Sequence, residues 1–223
     1  MNLPYETIRL KFRNNIYIPL TRDLRRKELH SIDFTIISNN CWGGTIYESY
    51  GIKKMSPTVG MFIMPEDYLK FISRLDDYLS IPLEFIEPEE SKWEKKLCHK
   101  SNWKTYLIGR LDDIELQMLH YHDKNITLRK WNDRVQRVNR DKMIFKFNDQ
   151  NGATQEQIKE YMDMPLKNKL CFVAQPGMKV NDQVILVKQK GSAQDGIKAS
   201  FEPFGKSKYI DINFFLNNIS RSN

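Results

Sequence analysis

Cysteine and histidine are scarce in this chain: three cysteines, Cys41, Cys98 and Cys171, and four histidines among 223 residues. The cysteines are odd in number and far apart. That excludes a disulfide framework and points to a reducing compartment. No cysteine or histidine spacing matches a structural zinc site. Long apolar runs are also missing. Nothing at the amino terminus reads as a signal peptide, and no segment approaches the roughly 20 apolar residues of a membrane-spanning helix. The expectation is a cytoplasmic protein without a transmembrane segment, attached at most peripherally at the inner face of a membrane. There is no Gly-x-Gly-x-x-Gly dinucleotide fingerprint, no internal repeat and no low-complexity linker.

Positive charge is in excess. Lysine and arginine number 35 against 28 aspartates and glutamates, a formal net charge of +7. Such a balance suits phosphorylated ligands, anionic lipid or nucleic acid. The cations are spread along the chain, and no motif of a common nucleic-acid-binding module occurs, so nucleic acid is set aside as a partner.

Residues 1–32 read as a basic N-terminal segment, with a short basic helix from Leu20 to His30. Residues 33–223 read as one α/β domain. Phe34 to Ile37 is a buried strand. It breaks into the small polar stretch Ser38 to Gly44, and Thr45 to Tyr50 then reads as helical. Met55 to Met64 resembles a second strand. Pro65 to Leu79 carries a proline and acids at its start and apolar residues at helical spacing. Ile114 to His122 alternates as a strand, and Leu128 to Asn139 is a helix capped by Asn125 or Thr127. Met143 to Phe147, Leu170 to Ala174 and Val184 to Val187 are strands. Thr154-Gln155-Glu156-Gln157 fits an N-cap with acid near the helix start, and Ile210 to Ile219 is the last helix. Strand and helix alternate, which predicts a largely parallel sheet flanked by helices. The result is a Rossmann-like sandwich with some antiparallel strands, namely the segment 106–122 and the last strand.

Five constellations are candidates for chemistry. The loop Asn39-Asn40-Cys41-Trp42-Gly43-Gly44 follows a strand and precedes a helix, where backbone amides can hold an anion. Cys41 there is a candidate nucleophile, since helix N-termini lower thiol pKa values, with His120 as its candidate base. A lone cysteine is more often a small buried residue. Asp113 and Glu115 are separated by one residue, so on a strand they share a side. They suit a general base, or a divalent metal beside a diphosphate. The bland alternative is a solvated turn and an exposed strand face. His120 and His122 alternate likewise, but no third ligand is evident, and no metal site is assigned. Trp131 and Arg134 share a helix face with Val138. Arg134 and Arg137 lie three apart, close enough to clamp a phosphate. Ser56 and Thr58 precede an apolar run, where their hydroxyls either line a pocket or make a turn.

Several blocks in order resemble the signature of one bacterial family. They are Phe34-Thr-Ile-Ile-Ser-Asn-Asn-Cys-Trp-Gly-Gly44, Ser56-Pro-Thr-Val-Gly60, Pro65-Glu-Asp-Tyr-Leu-Lys70, Ile108-Gly-Arg-Leu111, Asp113-Ile-Glu-Leu-Gln-Met-Leu-His-Tyr121 and Trp131-Asn-Asp-Arg134 with Arg137, Asn139 and Asp141. The family is that of the domain of unknown function 1919, often labelled exopolysaccharide biosynthesis proteins, and the resemblance covers about residues 30–219. It implies a bacterial, cytoplasmic protein linked to surface polysaccharide. It also implies a histidine where this chain has Gln117. That departure removes the position as an acid, base or ligand here.

The reading expected from all this is a transferase in exopolysaccharide biosynthesis, acting on a sugar or sugar-phosphate from an activated, phosphorylated donor. A lipid-linked acceptor at a membrane surface is within its scope. Asn39, Asn40, Gly43 and Gly44 would meet the donor's anion, Arg134 and Arg137 would balance charge, and Asp113 or Glu115 would take the acceptor's proton. Two alternatives stand beside it. One is a non-catalytic carbohydrate-binding or assembly protein using Trp42, Trp93, Trp103 and Trp131 as sugar-stacking faces. The other is a Cys41-dependent hydrolase or acyltransferase.

Overall fold

The strands pair into two sheets. The structure, a computed structural model, describes residues 5–219. In chain order it forms α1 (Tyr5–Phe12), a π-helical turn (Arg13–Tyr17), α2 (Ile18–Lys27), β1 (Thr35–Ser38), α3 (Trp42–Ser49) and β2 (Phe62–Ile63). Then come α4 (Pro65–Ser73), α5 (Leu75–Ser80), β3 (Glu84–Ile86), α6 (Glu94–Leu97), β4 (Leu107–Leu111), β5 (Ile114–Met118) and α7 (Lys124–Val135). The chain continues through β6 (Met143–Asn148), α8 (Gln155–Asp163), β7 (Lys169–Val173), β8 (Val184–Leu186) and α9 (Ile212–Asn217).

The first sheet has the order β1-β6-β7-β8 and is parallel throughout. Its strands are buried on both faces, which is why they read as near-continuous apolar runs. Ile37, Phe145, Phe147, Cys171 and Val173 point to one core, shared with α4 and α8. Ile36, Ile144, Leu170 and Phe172 point to the other, shared with α3 and α9. Tyr68 of α4 fixes that helix on the sheet: its ring stacks on Phe147 at 5.4 Å, and its hydroxyl donates to the Ile37 carbonyl at 2.8 Å.

The second sheet has the order β2-β5-β4-β3 and is antiparallel. It meets the first at Asn39, whose carbonyl accepts from the Ile63 amide at 2.9 Å. Its far face packs on Trp93, Leu97, Trp103 and Tyr106.

The α/β class and the parallel sheet agree with the alternation of elements, and 106–122 is antiparallel as expected. Several details differ. The last strand, β8, joins in parallel rather than antiparallel. Only Phe62 and Ile63 of the run 55–64 pair as a strand, because Pro57 and Gly60, at φ +84°, turn the chain before it. The hairpin of β4 and β5 turns on Asp112-Asp113, with Leu111 opposite Ile114. Asp112 takes φ +54°, a conformation aspartate tolerates. The cap of α7 is Asp123, accepting from the Ile126 amide at 2.7 Å, so Asn125 and Thr127 lie inside the helix. Thr154 caps α8 with Gln157 as a reciprocal box. The basic N-terminal helix is longer than Leu20 to His30, with α1, the π turn and α2 running on from one another.

Candidate functional site

β1 delivers the chain to Asn39 at the carboxyl end of the parallel sheet, where open α/β sheets place ligand sites. α3 must then start close against β1. Gly43 makes this possible: a Cβ there would stand 3.2 Å from Ile36 Cγ2. Gly44 faces the Val59 side chain, 3.3 Å from its own missing Cβ. The first turns of α3, the turn at Val59-Gly60, His120-Tyr121, the outer face of α7 and the π turn of the N-terminal helix together enclose a cleft of about 530 Å3.

The cleft is basic. Arg13, Lys54, Lys130 and Arg134 line it, with Glu48 as the carboxylate. Glu48 is already engaged by Lys54 at 2.7 Å. Arg13, Lys130 and Arg134 have no carboxylate within ion-pair distance among the described residues. Arg134 is held by neutral groups: it donates to the Tyr121 hydroxyl and, at 3.3 Å, to the Val59 carbonyl. Lys130 Nζ lies 5.8 Å from the centre of the Tyr121 ring. Arg13 donates to the Ser200 carbonyl at 3.2 Å. Cations held in place without counter-charges leave their field for a ligand, and the guanidinium fork suits phosphate or carboxylate.

Cys41 and His120 also line the cleft. His120 is exposed. The Cys41 thiol lies 3.7 Å from the Met61 carbonyl, and burial pushes its pKa up to about 11, against the expected thiolate. Position at a helix start did not outweigh desolvation here.

The profile of the family described as domain of unknown function (DUF1919) matches residues 12–218. The chain belongs to that family. An uncharacterized protein of Haemophilus influenzae is 27% identical to it over 208 residues, covering 93% of this chain and 94% of that protein.

The other expected site residues of this DUF1919 chain lie outside the cleft lining. Asn39 and Asn40 belong to a buried polar cluster beneath it. Lys146 and Glu202, both fully buried, form an ion pair there. Asn40 accepts from Lys146 Nζ at 2.9 Å and donates to Glu202 at 2.9 Å and to Gln150 at 2.8 Å. Asn39 donates to Asn148 at 2.7 Å. Burial holds the Lys146 ammonium below the usual lysine range, opposed by Glu202. The asparagines thus tie the carboxyl ends of β1 and β6 to the chain at Glu202.

Asp113 sits in the hairpin turn rather than on the strand. Tyr78 donates to it at 2.6 Å and Lys70 at 3.1 Å, and the Tyr78 hydroxyl bond is the main cause that holds its carboxyl below the usual range. Glu115 is buried, accepting from the Ser91 hydroxyl at 2.5 Å and the Lys92 amide at 2.8 Å. Gln117 Nε2 approaches the same carboxylate at 3.4 Å. Both acids are taken up by the second sheet, and neither lines the cleft.

His122 bonds the Thr105 carbonyl at 2.8 Å and lies past the end of β5, so it does not share a strand face with His120. Ser56 and Thr58 are buried and bonded to each other at 3.0 Å, bracing β1 through the Ser38 amide. Trp131 is buried in the core, as are Trp42, Trp93 and Trp103. No indole is left as an open stacking face. Arg137 donates to the Lys54 carbonyl at 3.4 Å and pairs with Asp133 at 3.6 Å, beside Arg134 but turned from the cleft. Among the described residues no group of three or more His, Cys, Asp or Glu stands close enough to hold a metal ion. No described helix is long and apolar enough to cross a membrane.

Sequence reasoning missed Arg13, Lys54 and Lys130. Each is one cation among many, and no local pattern sets it apart. Only the docking of the N-terminal helix and α7 on either side of α3 assembles them.

Proposed function

We propose that the protein binds a phosphorylated sugar donor in this cleft and transfers a group from it to a carbohydrate hydroxyl in exopolysaccharide biosynthesis. The observation that carries the reading is the meeting of Arg13, Lys130 and Arg134, from two separate helices, with His120 and without matching carboxylates. Arg134, fixed by Tyr121, grips the phosphate, and Arg13 and Lys130 neutralise its remaining charge. The acceptor's hydroxyl oxygen bonds to the transferred group as it gives its proton to His120, the general base. The bond between the transferred group and phosphate oxygen breaks, and the phosphate leaves with the electron pair against the guanidiniums. The arginines and lysine serve as the charge clamp. The amides opening α3 at Gly44 add positive field at the same wall. The proton-transfer role expected of Asp113 or Glu115 passes to His120 because both acids are committed to the second sheet. A cytoplasmic setting, with an acceptor carried at the inner face of a membrane, fits this donor chemistry.

Burial of all four tryptophans disfavours a sugar-binding protein that stacks on them. The raised thiol pKa disfavours a Cys41 nucleophile. The test is polysaccharide analysis of the encoding bacterium after deletion, complemented with the wild-type chain, His120→Ala or Arg134→Ala. Polymer changed by deletion, restored by the wild type and not by either variant, is the expected result. Restoration by both variants at equal protein level would remove the proposed roles.

A further inference from the structure

Five large apolar side chains on the N-terminal helix, Ile8, Phe12, Ile16, Leu20 and Leu24, recur every four residues and stay between 47 and 74% exposed. A step of four overshoots the 3.6-residue turn by about 40°. In an unbroken α-helix such a row would wind off one face. The π turn at Arg13–Tyr17 counters this: the Ile18 amide donates to the Arg13 carbonyl five residues back, and the wider turn takes up part of the winding. Pro19 accounts for the turn's position. It has no N–H to give to residue 15, and its ring crowds that carbonyl.

The opposite side of the helix is committed to the body of the protein. Ile18 and Arg25 are buried, Arg25 Nε donates to the Ser49 carbonyl at 2.8 Å, and Arg9 donates to the Ser200 carbonyl at 2.8 Å. The exposed row therefore cannot rotate inward. Residues 5–27 hold seven cations against two carboxylates, most of the chain's net +7. Lys11 and Lys27 flank the row, while Arg22 and Arg26 lie against Gly51 on the side toward the body and reach Asp23.

We propose that this helix docks in the plane of an anionic lipid membrane, with the Ile8–Leu24 row among the acyl chains and Lys11 and Lys27 at phosphate level. An apolar stripe of large side chains with basic residues beside it is what an interfacial helix needs, and anionic headgroups complement the excess charge. A symmetric pair of these helices would instead set cationic faces against each other. Arg13, Asn14 and Ile18 of the same helix line the cleft on its other side, so a docked helix would hold the cleft next to the membrane surface. The inference rests on the helix face and stands or falls independently of the cleft's chemistry.

The test is flotation of the full chain with vesicles of phosphatidylcholine alone and of equal parts phosphatidylcholine and phosphatidylglycerol. The expected result is partition onto the anionic vesicles only, weakened by salt. Leu20→Asp with Leu24→Asp should cut partition at least tenfold. Lys11→Ala with Lys27→Ala should cut it about fivefold per lysine, the equivalent of about 1 kcal/mol each. Circular dichroism and light scattering check that the variants keep the fold and oligomeric state; all four positions are exposed, so they should. No partition at low salt, equal partition on neutral vesicles, or partition indifferent to the leucine variants would overturn the proposal. So would a dimer that dissociates in the leucine variants without vesicle binding by the wild type.

Discussion

The guanidinium of Arg134 is held by the hydroxyl of Tyr121, and that hydroxyl donates to the Val59 carbonyl at 2.5 Å. A cation at the cleft is thus fixed by a chain of neutral partners rather than by a carboxylate. Tyr121→Phe removes the fixing oxygen and leaves the charge. Affinity for inorganic pyrophosphate should fall about fivefold by calorimetric titration, with stability lowered by roughly 1 kcal/mol.

Gly60 supports the same tyrosine. It sits at φ +84°, and a Cβ there would stand 3.0 Å from Tyr121 Cε2. Gly60→Ala should cost about 1–3 kcal/mol in urea denaturation through backbone strain and overpacking. It should also weaken pyrophosphate binding by displacing the ring.

Lys146 and Glu202 test the buried cluster under the cleft. Removing one partner leaves an uncompensated buried charge, so Glu202→Ala should destabilise by about 3–5 kcal/mol. Asp113→Asn, at an exposed turn, should cost under about 1 kcal/mol and leave pyrophosphate binding unchanged. Denaturation curves of both variants, together with titrations of Asp113→Asn, check the pair.

The thiols give a pH signature. Cys98 is exposed, while Cys41 is raised to about 11 and Cys171 further, both by burial. At neutral pH iodoacetamide should label Cys98 first, with Cys41 rising only in strong alkali. Both shifts are upward from the ordinary thiol value of 9.0. The folded state therefore keeps protons that the unfolded chain releases above about pH 9. Their contribution to stability is full below that pH and is lost as pH rises through the folded pKa values. Urea midpoints measured from pH 8 to 11 should fall accordingly, and the fall should be smaller in Cys41→Ala.

Much of the fold was legible in the residues. The runs Met143 to Phe147 and Leu170 to Ala174 fall on β6 and β7, buried on both faces, and their unbroken apolar character has few other outcomes. Thr154, with Glu156 close behind it, announces the start of α8, and the structure adds Gln157 as its capping-box partner. The failures have physical causes. Asp123 caps α7 because its backbone is extended just before the helix, a difference that Asn125 and Thr127 do not advertise in sequence. The Met55–Met64 run is apolar enough for a strand but is bent by Pro57 and Gly60. At the site, Cys41, Gly44, His120 and Arg134 were within reach because their blocks lie at strand and helix ends. Arg13, Lys54 and Lys130 were not, since their roles arise from docking between distant segments. Glu115 and Asp113 looked free because sequence spacing does not reveal Ser91, Lys92, Tyr78 and Lys70 as their partners.

Arg13, Lys130 and Arg134, cations of two helices without carboxylate partners among the described residues, form one phosphate-binding cleft if calorimetric titration of pyrophosphate into the wild type and into Arg134→Ala, at low and moderate salt, separates the two proteins. Saturable binding at one site, weakened by salt and reduced at least tenfold in the variant, about 1.4 kcal/mol, is the predicted result. No saturable binding, or equal binding by the two proteins, would contradict it.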